Sequence, residues 1–203
     1  NTSVAIISTL SSGFYTDPEN GCAPLDISFY NTSSNAITYL WDFGDGSTSV
    51  LENPAHTYVN PGTYDVTLSA FGTTGNVNTS ISGQIVVLPR PLANLQAFPE
   101  LITEPNDTVF FADNSLDASS WYWNFGDPSS GNSNFSSLQN PAHVYTQNGN
   151  YTVTLVVEAS NGCSDSISIQ DFISVSIDSS GPLSLSGSDF NNSVFSVFPN
   201  PFE

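Results

Sequence analysis

Residues 63–71, TYDVTLSAF, alternate in polarity: Tyr64, Val66, Leu68 and Ala70 fall on one side, Thr63, Asp65, Thr67 and Ser69 on the other. Residues 150–158, NYTVTLVVE, repeat the pattern with Tyr151, Val153, Leu155 and Val157 on the apolar side. A period of two marks a strand with one buried face. LDISFYN (25–31), ITYLWDF (37–43), GQIVVL (83–88) and DFISVSI (171–177) predict further strands, with Gly, Asn and Pro clusters between them. No stretch carries a helical period. Short strands of this kind are satisfied most economically by two sheets packed face to face, so the predicted fold class is all-β, of sandwich type.

The pattern occurs twice. Phe29, Trp41, Phe43, Gly44 and Asp45 align at constant offset with Phe111, Trp123, Phe125, Gly126 and Asp127. The offset then lengthens by five, within the polar stretch PSSGNSNFSS of the second copy, and ENPAHTYVNPGTYDVTL meets QNPAHVYTQNGNYTVTL. A repeat of this length is a small domain rather than a solenoid unit. The expected domains are residues 3–89 and 92–177, followed by a tail at 178–203. Pro89 and Pro91 in the joint LPRPL favour a short, stiff, extended connection.

Within the turn WDFGDG, Trp41 and Phe43 are two apart and should share the inward side. Gly44 and Gly46 allow the positive φ of a reversal, and Asp45 can accept N–H groups of its own turn. In the second copy, WNFGDP, Pro128 replaces the second glycine, which should alter the turn and leave the strand intact. NPAH forms a second turn in each copy, with Asn53 and Asn140 placed to bond the backbone around Pro54 and Pro141.

Charge narrows the partners. Arg90 is the only Lys or Arg against nineteen Asp and Glu, a formal charge of −18. Phosphate binding needs cationic side chains to release counterions, so nucleic acid is excluded as a partner, and an anionic membrane surface on the same ground. No apolar run in this sequence reaches membrane-spanning length and none of it reads as a signal peptide, so a secreted protein would be expected to be processed or represented here by a fragment. The plentiful aromatic and β-branched residues argue against a disordered acidic tail.

These residues resemble the PKD (polycystic kidney disease) domain, an immunoglobulin-like β-sandwich. The hallmarks are the W-D-F-G-D-G turn, the N-P-x-H-x-Y turn and the G-x-Y-x-V-x-L strand. Domain one carries WDFGDG, NPAHTY and GTYDVTL; domain two carries WNFGDP, NPAHVY and GNYTVTL, departing at Asn124 and Pro128. The resemblance implies framework roles for Trp41, Phe43, Asp45, Pro54, His56 and Tyr64, and for Trp123, Phe125, Asp127, Pro141, His143 and Tyr151.

The resemblance also bears on the cysteines. GCAPL and NGC look like the two halves of a disulfide found within bacterial members of the family. Domain one keeps Cys22 with Asn76 where its partner would stand; domain two keeps Cys163 opposite Glu104. The expectation is no disulfide within a domain, with Cys22 and Cys163 unpaired. An interdomain bond would need Cα atoms within about 7 Å across a joint expected to run end to end. An intermolecular bond stays open.

Two shorter resemblances concern export and modification. SVFSVFPNPFE, after a polar linker, is similar to the start of the C-terminal sorting signal of type IX secretion in Bacteroidetes. It implies an extracellular or cell-surface location. DTV (107–109) and DSI (165–167) resemble that phylum's O-glycosylation motif, at Thr108 and Ser166.

Candidate chemistry is sparse. No GxSxG, HExxH or phosphate loop occurs, so no catalytic residue is assigned and the chain is expected not to be an enzyme. His56 and His143 recur with the fold and are expected to hydrogen-bond near the core Trp. Asp42, Asp45 and Asp127 are weak Ca²⁺ candidates, with turn stabilisation the favoured role and no cofactor otherwise expected. Three functions fit: a structural or adhesive surface module (stalk, adhesin or filament subunit), the accessory region of a secreted hydrolase, or a glycan-binding module using Tyr39 or Tyr122 if they face outward. Expected partners are proteins, including copies of this chain through the apolar C-terminal strand, and glycans, without membrane insertion.

Overall fold

The computed structural model describes residues 9–104 and 106–176. The first sandwich contains β1 (Phe14–Asp17), β2 (Asn20–Cys22), β3 (Leu25–Asn31), β4 (Thr38–Asp42), β5 (Thr48–Ser49), β6 (Ala55–Tyr58), β7 (Gly62–Gly72) and β8 (Gly75–Leu88). The second contains β9 (Leu95–Phe98), β10 (Leu101–Ile102), β11 (Thr108–Asp113), β12 (Ser120–Asn124), β13 (Phe135–Ser136), β14 (Ala142–Val144), β15 (Gly149–Glu158) and β16 (Ser164–Val175). Each unit is a three-stranded sheet, β1-β3-β6 or β14-β11-β9, facing a five-stranded one, β2-β8-β7-β4-β5 or β10-β16-β15-β12-β13. Pairing is antiparallel except where β2 joins β8 and β10 joins β16 in parallel.

The alternation read in the sequence is the burial pattern of the central strands. Val66, Leu68 and Ala70 are buried on β7, as are Val153, Leu155 and Val157 on β15. Each sandwich closes around its own cluster, with Trp41 or Trp123 wholly buried against Phe29 or Phe111. Tyr64 and Tyr151 donate their hydroxyls to the carbonyls of Asn60 and Gln147, four residues back, which pins the turn entering β7 and β15.

One local expectation is corrected. Asn53 and Asn140 accept N–H groups from Asn31 and Asp113, so they tie the NPAH turn to the neighbouring strand rather than to their own backbone. The polar stretch after Asp127 winds into 3-10 turns at Pro128–Asn134, with Gly131 at φ 60° interrupting them. Pro128 fixes a φ suited to the first turn of such a helix, and β12 keeps the five-residue length of β4.

The largest departure is at the joint. Cys22 and Cys163, expected to be unpaired, form a disulfide with Cα atoms 5.7 Å apart. The register explains it. Cys22 lies beside Leu88, directly ahead of the linker, and Cys163 ends the β15–β16 hairpin where domain two meets that linker. Each half belongs to the end of a module that abuts the next module, so neither needs a partner in its own sandwich. Residues 3–8, counted in the expected bounds of domain one, and the tail from 177 onward lie outside the described residues.

Candidate functional site

The repeated turn is built around one hydrogen-bonded pair. At its first acidic position Asp42 Oδ1 accepts the Gly44 N–H, and Asn124 Oδ1 accepts the Gly126 N–H, both at 2.9 Å. An amide oxygen therefore replaces the carboxylate without loss of the turn. Gly44 and Gly126 sit at φ 81° and 72°. A Cβ on either would meet the backbone carbonyl of Asp65 or Thr152 at 2.3 or 2.2 Å, so glycine is required twice over.

Asp45 then reaches His56, Oδ2 to Nε2 at 2.7 Å, and Asp127 reaches His143 at 3.1 Å. The imidazoles stack on Phe43 and Phe125, centroids 4.3 and 4.6 Å apart, and meet Tyr58 and Tyr145 edge-on. Those tyrosines are buried and donate to the carbonyls of Phe43 and Phe125. The histidines, expected to hydrogen-bond near the core Trp, bond aspartate and stack on phenylalanine, while the Trp indoles donate elsewhere: Trp41 Nε1 to the Leu51 carbonyl and Trp123 Nε1 to that of Leu138.

The two copies differ in exposure. The Asp45–His56 pair is partly open to solvent, whereas Asp127 and His143 are buried. Asn134, at the end of the 3-10 insertion, accepts the Asp127 N–H and donates to Asn124, closing over the pair. Burial pushes both carboxyls up. Hydrogen bonds outweigh it, from His56 and Ser47 to Asp45 and from Ser129 and His143 to Asp127, and hold each below the ordinary 3.8. A carboxyl with a depressed folded value adds stability above its unfolded value, which is lost as pH falls through the folded one. Acid unfolding should therefore set in below about pH 4, and Asp127→Asn should flatten the acid limb of a stability–pH curve measured by urea titration.

This arrangement has the contacts of a framework. Each aspartate oxygen is used: Asp45 Oδ1 takes the Ser47 N–H and Asp127 Oδ1 the Ser129 hydroxyl, leaving Asp42 as the remaining Ca²⁺ candidate, itself bonded to Gly44. Among the described residues no group of three or more His, Cys, Asp or Glu side chains could hold a metal ion. Among the described residues, His56 and His143 hydrogen-bond to Asp45 and Asp127 rather than to a serine or cysteine nucleophile. Of the glycan candidates, which required an outward-facing ring, Tyr39 shares the parity of Trp41 and packs against the core, so it does not meet that condition. Tyr122 is 50% exposed and stacks on Phe135. Thr108 is half-buried at the start of β11, and Ser166 is exposed on β16.

A second set of contacts lies between the sandwiches. Beside the disulfide, Arg90 donates through Nε to the Ala23 carbonyl of domain one and through Nη1 to the Ser164 carbonyl of domain two, the latter at 3.0 Å. Asn161 Nδ2 donates to the Pro89 carbonyl at 2.9 Å, and Asp165 accepts the Ala93 N–H. The one arginine thus bridges both units and the linker. Sequence reading missed this cluster. Its signals were the cysteine halves split between domains and the single cation placed in the linker.

Two tandem sandwiches of immunoglobulin type, each closed by a Trp-centred core and an Asp–His turn, define a class of modular β protein. A family model described as "PKD domain" matches residues 12–87 and 89–175, and the chain belongs to that family. Collagenase ColA of Bacillus cereus is 40% identical over 57 residues, covering 26% of this chain and 6% of that protein. The pre-pro-metalloprotease PrtV of Vibrio cholerae is 41% identical over 59 residues, 27% of this chain and 6% of that protein. The chain is therefore matched to a small part of these relatives. The crystal structure of the PKD1 domain from PrtV is 28% identical, covers 39% of this chain and 99% of that domain, and gives a TM-score of 0.33. No helix among the described residues is long and apolar enough to cross a membrane.

Proposed function

We propose that the chain is a non-catalytic spacer of an extracellular bacterial protein, a surface stalk, adhesin or filament subunit. Its task is to hold what lies at its two ends at a fixed separation. The observation that carries this reading is the Cys22–Cys163 bond between successive modules, reinforced by Arg90. A disulfide persists in oxidising compartments, which supports an extracellular setting. A bond placed at the joint serves no sandwich's own core and restricts the angle between two. The acidic surface keeps such a rod from bundling with its neighbours. The similarity of the tail to a type IX sorting signal supports export by that route, and Thr108 and Ser166 are the proposed glycosylation positions.

The collagenase and metalloprotease relatives favour a second reading, the accessory region of a secreted hydrolase. In either reading this chain does no chemistry. Incubation with polysaccharides, esters and peptides should give no turnover above buffer. Turnover that His56→Ala or His143→Ala abolishes would overturn the framework role of those residues. Protein recovered from the surface of intact cells should carry the Cys22–Cys163 bond by peptide mapping. Recovery only from the cytoplasm, with free thiols, would contradict the extracellular reading.

A further inference from the structure

We infer that the leading end of domain one is a docking surface for the trailing end of a further PKD-type sandwich on its N-terminal side. The internal repeat shows what that end is for. In domain two it consists of the turn at Asp117–Ser119 and the β15–β16 hairpin. Domain one and the linker sit on it, through Cys163, Asn161, Ser164 and Asp165.

Domain one reproduces this end in backbone detail. Asn35 and Asp117 occupy the same turn at φ 59° and 58°. The Ile37 N–H bonds the Phe71 carbonyl as the Ser119 N–H bonds the Glu158 carbonyl, and Ala70 faces Val77 as Val157 faces Asp165. At these three equivalent positions the chemistry changes. Ser119, Glu158 and Asp165 become Ile37, Phe71 and Val77, exposed at 66%, 38% and 39%. From Ile37 and Phe71 an open groove continues along β4, lined by Leu40, Val50 and Leu51. It follows the half of β4, Thr38–Leu40, that the two-residue β5 does not pair. Exposed apolar groups lining one groove beside an unpaired strand edge mark an interaction surface; Val77, paired with the buried Ala70, lies on the opposite face of the hairpin from Phe71. Domain two uses a covalent bond and polar groups at this end; domain one offers apolar area.

Two observations point to the occupant. The chain enters domain one at this end: Asn35 Nδ2 donates to the Thr9 carbonyl, and Leu10 lies against Gly72 in the β7–β8 hairpin. The sequence ahead of Thr9 also continues the repeat. Phe14 corresponds to Leu95, since Phe14 pairs with Asn31 as Leu95 pairs with Asp113. At that same offset Val4 and Ile6 fall on Ile85 and Val87, the buried residues that close domain one before its linker. Ile173 and Val175 do the same at the end of domain two. The partner is thus a sandwich joined to domain one ahead of residue 9, as domain one is joined to domain two ahead of residue 90.

The test extends the natural reading frame by one repeat ahead of Asn1 and compares hydrogen exchange with that of the 203-residue chain. The added sequence should carry the Trp-x-Phe-Gly and Asn-Pro-x-His turns. Amides at 37–40 and 70–77 should then exchange roughly tenfold more slowly, as expected for a covered surface. Ile37→Asp with Phe71→Asp should reverse that protection while amides at Val66 and Leu68 stay protected, which separates lost docking from lost folding. A frame without those turns would overturn the inference. So would a folded added module that leaves exchange at 37–40 and 70–77 unchanged. Concentration-dependent protection of the same amides in the 203-residue chain would assign the surface to a second copy and would likewise overturn it.

Discussion

Replacing Trp123 with alanine is expected to destabilise domain two by about 3–5 kcal/mol, the range for removing a large aromatic from a core. The indole is 0% exposed, packs at 5.7 Å from Phe111, and donates from Nε1 to the Leu138 carbonyl. The substitution leaves a cavity between the sheets and a carbonyl without its donor. Against the roughly 5–15 kcal/mol that hold a small domain folded, the loss is large enough to lower its denaturation midpoint severely. Trp121 stays in domain two as a fluorescence probe, and Trp41 reports independently on domain one. Urea titration should show the domain two transition moving to low denaturant while the Trp41 transition shifts far less. A change below about 1 kcal/mol, within the range of ordinary surface substitutions, would contradict the placement of Trp123 at the centre of the core.

The second large effect is expected from removing the joint. Cys22→Ser with Cys163→Ser should cost about 2–5 kcal/mol, because the bond closes a long loop and restricts the unfolded chain. The residues joined are 141 apart, spanning most of both domains. Each sandwich has its own apolar cluster, so both should still fold in the double variant. What should disappear is the tie by which an unfolded sandwich remains attached at its end to a folded one. Calorimetry should show lower and more separated transitions than in the oxidised protein. Equal midpoints for the two proteins would mean that the bond contributes nothing to holding the modules together.

Much of the fold was written in short-range pattern. Period-two alternation located β7 and β15, and LDISFYN coincides with β3. The repeated aromatic and glycine positions located both cores, since each is fixed by local geometry: Gly44 and Gly126 by a positive φ and a carbonyl in contact, Trp41 and Trp123 by parity along the strand. Partners set by tertiary packing were less legible. Nothing in NPAH specifies that His56 meets Asp45. The two tyrosines were paired as glycan candidates although Tyr39 aligns with Trp121 on the inner side, not with Tyr122. The disulfide escaped because the repeat was compared domain against domain, whereas its two halves belong to the contact between successive domains. A spacing of 141 residues carries no register. The signals that could have joined them were the split of the two halves between the domains and the single cation in the linker.

The central claim is that two sandwiches behave as one rigid spacer. Backbone ¹⁵N relaxation of the oxidised chain tests it most directly. The account predicts that amides of residues 12–87 and 89–175, apart from loop tips, fit a single overall rotational diffusion tensor, and that the Cys22→Ser, Cys163→Ser variant requires a separate one for each domain. Two independently tumbling domains in the oxidised protein, with the Cys22–Cys163 bond verified by mass, would contradict it.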